Sequence, residues 1–397
     1  MDIICLNNSV CIEPCLGGRL NKRLHSRLGY IILNAICLLF AMFVGKVANQ
    51  QKYSFDGSMY SISFALTLFH LLIIIISLTG TTVTMPFIKG LWTLKFLIIF
   101  GVYLACFLTN NEKFFKFYTM ISKYICLGYL VYICFVTISF GHFLNIRIFS
   151  NVETLEKANL SSVSWKALLF GLTFLFFASY IGFFVDIFIW TKKANNTMTL
   201  VFAIIMFITL FVLTIISISC IVERKRLLAS AYVCSFVAYL CWSAFFVNNP
   251  PAGIASVRKR LDIALGLVYV IGGLFFLALT SKKCKIEDDA DKQLSPSIFI
   301  EEEVDNVDTT VALASNEEGQ EIEYVLLTRS YFLFQGFLLF ISVFYSMHMT
   351  NWSTLKESDT NRGFGYFSKI AAAFLCEVLY LFALIAPMCF PDREFTY

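Results

Sequence analysis

The chain has 397 residues, of which 58% are hydrophobic, 17% aromatic and only 15% charged, with a formal net charge of +4. A soluble domain of this length needs charged residues over much of its surface, so the composition argues against a soluble fold and for a chain solvated by lipid tails. Basic residues sit in short clusters beside apolar runs, which excludes a nucleic-acid face and matches the positive-inside pattern of membrane proteins.

The first twenty residues carry Asp2 and Glu13 and precede an apolar run too long for the core of a cleavable signal, so that run is expected to act as a signal anchor. Residues 1–27 are read as a cytoplasmic N-terminal segment. Cys5, Cys11 and Cys15 lie in it, before a basic stretch next to a span, which suits reversible acylation as well as it suits uncommitted thiols. They have no partner ligands at zinc spacing, and no metal is expected.

Runs able to cross a bilayer lie at about 28–48, 59–80, 91–109, 115–149, 166–191, 198–222, 227–247, 261–281, 330–350 and 366–390. Each is near or above the roughly 20 residues a spanning helix needs, which predicts an all-α, polytopic transmembrane fold of ten helices. Eight fall within 28–281 and two within 330–390. The fourth apolar stretch, Phe117 to Ile146, is about 45 Å long as a helix against about 30 Å of hydrocarbon. It must tilt steeply or run on into the interface.

Residues 282–329 are acidic and poor in aromatics, too polar to bury a core, and are expected to form a disordered cytoplasmic loop. It is either a solvated tether or a docking point for a cytoplasmic partner. The tail, 391–397, is assigned to the cytoplasm. With both termini inside, 17 Lys and Arg residues lie in inner segments against 11 in outer ones. The cluster Arg258 to Arg260 is the main contrary sign.

Ionisable groups inside spans are costly unless paired or hydrated, so they mark candidate sites. Glu377 and His70 share a depth near the middle of the last and second spans and would make a midplane pair; the alternative is separate satisfaction of each. Lys123 and Asp186 form a second depth-matched pair about two turns from the outer surface, with snorkelling as the alternative. Lys95, one turn into the third span, is expected to snorkel, and His142 to be an interfacial, hydrogen-bonded histidine. Ala231, Ser235, Ala238, Ser243 and Ala244 make a small-residue stripe on the seventh span that lets helices pack closely. Trp190 and Trp352, near span ends, are expected to anchor at the interface. Sequons at Asn195 and Asn351 fall in predicted outer loops.

No GxxxxGK[ST], HExxH, GxSxG or HxxxxD pattern is present, so neither ATP-driven pumping nor a familiar lipid hydrolase or acyltransferase is supported; no enzymatic activity and no cofactor are expected.

Several short stretches carry a resemblance. They are Ser330-Tyr331-Phe332 through Thr350-Asn351-Trp352, Leu379-Tyr380, Ala386-Pro387, Asp392-Arg393-Glu394-Phe395, and Tyr239-Leu240-Cys241-Trp242-Ser243-Ala244 before Asn249-Pro250. Gly90-Leu91-Trp92, Phe140-Gly141-His142 and Ser26-Arg27-Leu28 add to them, in order over nearly the whole chain. The chain thereby resembles the Serinc family of serine incorporator, or TMS, membrane proteins. It departs where Ser139 replaces the family's acidic residue three positions before the fourth-span His, where Gln335 replaces a His, and where Glu377 replaces an apolar residue.

The resemblance implies two helical subdomains joined by a long tilted fourth helix, no catalytic centre, and a role with phospholipids tied to phosphatidylserine and sphingolipid synthesis. The expectation drawn from it is non-enzymatic phospholipid scrambling or lipid organisation, with Lys123, Ser139, His142, Asp186 and Glu377 on the polar route. Two alternatives stay open: a secondary transporter of a small polar solute such as serine, built on Glu377 and His70, and a membrane scaffold for lipid-synthesising enzymes. Sterol or sphingolipid, and a second copy of the chain, are further candidate partners.

Overall fold

A computed structural model describes residues 17–48, 55–79, 90–109, 111–194, 197–218, 227–248, 255–280, 332–350, 352 and 359–389. The acylation candidates Cys5, Cys11 and Cys15, the sequon residues Asn195 and Asn351, the acidic segment 282–329 and the C-terminal tail lie outside them.

A backbone in hydrocarbon must satisfy its own N–H and C=O groups, so long apolar runs become helices. Among the described residues ten are present: α1 (Gly17–Ala48), α2 (Phe55–Thr79), α3 (Trp92–Thr109), α4 (Glu112–Lys157), α5 (Val163–Ala194), α6 (Thr197–Ile218), α7 (Leu227–Asn248), α8 (Ala255–Thr280), α9 (Phe332–Met349) and α10 (Asp359–Cys389). Among the described residues nine are long and apolar enough to cross a membrane; the tenth, α8, opens with Arg258, Lys259, Arg260 and Asp262.

α4 is the overlong element that the sequence predicts. Its 46 residues reach about 69 Å. Both ends are defined by local chemistry. Asn111 caps the start, its Oδ1 accepting from the backbone N–H of Lys113 at 3.0 Å and Phe114 at 3.3 Å. At the far end Asn159 takes a left-handed φ of 53°, its N–H donating to Glu156 O while that of Leu160 donates to Leu155 O. These two bonds close the last turn, and Asn tolerates that φ better than other non-glycine residues.

The helices pack in two groups. α1 packs on α2, and α2 on α3. α9 joins them through Ser342 Oγ donating to Asn34 Oδ1 at 3.1 Å and through Tyr60 and Thr350 hydroxyls 2.9 Å apart. In the second group α7 is central, contacting α5, α6, α8 and α10, and it is buried from Leu228 to Phe245. Ala231, Ser235, Ala238, Ser243 and Ala244 are all buried in these contacts, as close packing of small residues requires. α4 touches both groups along its length, meeting α2, Phe337 and Phe344 of α9, and also α5, α7, α8 and α10, while α8 meets α1 as well. Large aliphatic and aromatic side chains, among them Phe43, Phe170, Phe174 and Phe382, cover the outside, the surface expected of a protein in contact with lipid tails.

Candidate functional site

Polar groups within the spans divide into those open at the bundle surface and those sealed between helices. The open ones centre on α4. Residues Phe117, Met120, Tyr124, Leu127, Phe135, Ser139, Ile146 and Phe149 are exposed, at spacings of three, four and seven or eight, so they form one stripe along the helix. Ser139 and Tyr124 carry the hydroxyls in this stripe. Lys123 is half-buried beside it, next to Tyr124, whose ring meets Phe364 of α10 at 6.2 Å. His142, one turn beyond Ser139, turns inward and is buried with its ring 6.0 Å from Tyr380 of α10. It is therefore packed between α4 and α10.

Asp186 of α5 does not pair with Lys123. Its Oδ1 lies 2.6 Å from Arg258 Nη2 of α8, and its Oδ2 accepts from Trp242 Nε1 of α7 at 2.7 Å. Depth matching failed because height along the membrane normal says nothing about which side of the bundle a residue faces. Arg258 also stacks over Trp190 at 4.3 Å from the ring centroid, with Lys193 Nζ 5.0 Å from that ring. The contrary basic cluster thus has a local role in neutralising Asp186. Asp186 and Arg258 keep 32% and 15% side-chain exposure, so the pair is reachable from outside.

A second charged cluster is sealed. Asp262 of α8, His348 of α9 and Lys369 of α10 are all buried. His348 Nε2 lies 3.4 Å from Asp262 Oδ2, and Lys369 Nζ donates to Ser243 Oγ of α7 at 2.6 Å with the Asp262 charge in electrostatic reach. Tyr239 OH donates to Asp262 O at 3.2 Å. Gly266 is required beneath it, since a Cβ there would stand 2.6 Å from that hydroxyl.

Glu377 and His70 are satisfied separately. Glu377 is buried in α10 against α6, with Thr209 Oγ1 donating to its Oε2 at 3.0 Å. His70 Nδ1 lies 2.8 Å from Gln335 Oε1 of α9. Gln335 is therefore a direct partner of the α2 histidine.

Lys95 is fully buried, its Nζ 4.4 Å from the Tyr30 ring centroid and 4.1 Å from that of Trp92. It does not snorkel, because these two faces offer the ammonium a closer partner than the interface. Trp352 is likewise no interface anchor: it is fully buried at φ 58°, ring to ring with Phe364 at 6.2 Å, where a Cβ at Gly365 would clash at 2.7 Å. Pro387 lies in the last turns of α10. Among the described residues no group of three His, Cys, Asp or Glu side chains is placed to hold a metal.

Asp262, His348 and Lys369 escaped the sequence reading. Asp262 and His348 lie within two turns of helix ends, where a charge reads as interfacial; Lys369, ten residues into α10, carried a signal in its depth alone.

Ten helices, an apolar exterior and polar groups held between spans define a polytopic α-helical membrane protein. The serine incorporator (Serinc) family profile matches residues 3–393, and the chain belongs to that family. Similar proteins include a probable serine incorporator of Nematostella vectensis, 23% identical over 85% of this chain and 80% of its own length. Serine incorporator 3 of Bos taurus is 24% identical with the same two coverages. A membrane protein of Schizosaccharomyces pombe is 24% identical over 94% of this chain and 92% of its own.

Proposed function

We propose that this chain is a non-enzymatic scramblase or lipid-organising protein that acts on membrane phospholipids. The observation that carries the reading is the open stripe of α4, which runs along a helix in contact with both groups and places the Ser139 hydroxyl among largely apolar residues. A headgroup crossing hydrocarbon loses its water, which is why unaided flipping is slow. Along this stripe a headgroup meets Ser139 and half-buried Lys123 while its tails stay against Phe and Ile side chains. The relatives' name refers to serine incorporation, and a link to phosphatidylserine or sphingolipid metabolism forms part of the same proposal.

The test is reconstitution into liposomes holding fluorescent phospholipid, with a membrane-impermeant quencher. Flipping well above protein-free vesicles is expected; a rate equal to theirs overturns the reading.

A secondary transporter of a small polar solute such as serine is the second reading. It is favoured by Glu377, buried with its Oε1 lacking a hydrogen-bond partner. It requires solute flux that responds to pH and stops in Glu377→Gln, with no lipid flipping.

A further inference from the structure

The sealed cluster joins elements that belong to different helix groups. His348 sits on α9, which is bonded to α1 through Ser342 and Asn34 and to α2 through Ser63 Oγ donating to Ser342 O, whereas Lys369 and Ser243 sit on α10 and α7 of the second group. Asp262 sits on α8, tied to that group by Tyr269 stacking on Tyr239 and by Arg258 on Asp186. We propose that Asp262, His348 and Lys369 form an ionic latch that holds the two helix groups together at one end of the bundle, and that its release lets them separate.

Three arguments support a latch over simple glue. First, apolar side chains of similar volume would hold these helices at least as well, because buried charges lose hydration that their partners only partly return. Charges retained here do something that packing alone does not: they hold one register firmly and give it up as a unit.

Second, release does not strand a bare charge. Arg258 lies four residues before Asp262, on the same face of α8, and Asp262 Oδ1 has no hydrogen-bond partner in the closed arrangement. A guanidinium that now serves Asp186 can therefore serve Asp262 when His348 withdraws. Two alternative pairings of one cation are what a two-state element needs.

Third, the same end stores conformational strain. Trp352, three residues beyond the last turn of α9, is held left-handed by a backbone bond from its N–H to Met347 O and by its seat against Gly365 of α10. A bulky residue at that φ persists only where its surroundings over-determine it. The left-handed backbone of Trp352 is thus held by its seat against α10, a constraint that separation would release.

The test measures distance between the groups, so it does not depend on whether the chain moves lipid. Genetically encoded spin labels at Ile36 on α1 and Ile208 on α6, both exposed, are read by pulsed dipolar spectroscopy on the full chain in lipid nanodiscs. One narrow distance population is expected for the parent. Asp262→Asn and Lys369→Met should each add a longer population, and the charge-swapped double variant Asp262→Lys with Lys369→Asp should restore the narrow one. Single variants indistinguishable from the parent overturn the latch, as does a swap that leaves the distribution broad. If either single variant cannot be purified folded, His348→Gln is read in its place, and an unchanged distribution there also overturns it.

Discussion

Arg258 of α8 places its guanidinium 2.6 Å from the Asp186 carboxylate of α5, and the same guanidinium sits over the Trp190 ring, 4.3 Å from its centroid, one turn further along α5. The pair therefore binds two helices through charge and through stacking at once. Because Asp186 is about a third exposed, solvent and headgroups screen the ionic part, and the coupling falls below that of a sealed pair. Arg258→Met should destabilise the protein by about 1–3 kcal/mol. Asp186→Asn combined with it should add less than the sum of the two singles. Arg258→Lys should recover little, since an ammonium loses the planar stack. Unfolding in a denaturing-detergent series gives the double-mutant cycle, and additive effects would show that the two side chains do not interact.

Ser139 is the small polar residue in the exposed stripe of α4. If a headgroup hydrogen-bonds to it in passing, losing that bond removes about 1 kcal/mol from the barrier reduction, or roughly a fivefold slower flip rate. Ser139→Ala should therefore slow flipping in liposomes about fivefold while leaving thermal stability alone, because the side chain packs against nothing inside. Full activity in Ser139→Ala would move the route away from this stripe.

Glu377 separates the two functional readings. It is buried between α10 and α6, and an amide of the same shape can still accept from Thr209. An amide is also easier to bury than a carboxylate. Glu377→Gln should thus leave lipid flipping within about twofold of the parent, a difference of about 0.4 kcal/mol in barrier, and leave stability equal or higher. A collapse of flipping in this variant would place the carboxyl on the lipid route after all.

Much of the architecture was legible because lipid imposes it: a spanning helix must be long, apolar and internally bonded, so nine of the ten described helices and the excess length of α4 stand out as runs. The polar partners were not. Lys123 and Asp186 have the right heights, yet Asp186 pairs with Arg258, a residue that the run pattern assigns to a loop. Depth follows from counting along one helix, whereas facing depends on how each helix is rotated by packing. Lys95 shows the same limit: its position reads as interfacial, and only the placement of Tyr30 and Trp92 reveals a closed aromatic site. Gln335 carried no signal of its own, since an amide in a span announces no partner until His70 is found 2.8 Å away.

Two glycines in spans should respond to alanine in opposite directions. At Gly365 a Cβ would lie 2.7 Å from Trp352 Cγ and 2.8 Å from Cδ2, inside a fully buried indole that has no room to retreat. Either the ring leaves its seat or α10 shifts, and overpacking of this kind costs about 1–3 kcal/mol. At Gly101, in the interior of α3, nothing stands within 4 Å of the added carbon. There alanine only removes backbone freedom from the unfolded chain and should be neutral or stabilising by up to about 1 kcal/mol. Thermal unfolding in one detergent, followed for both variants beside the parent, should lower the midpoint for Gly365→Ala and hold or raise it for Gly101→Ala. An unchanged midpoint in Gly365→Ala would mean that Trp352 is not seated against α10.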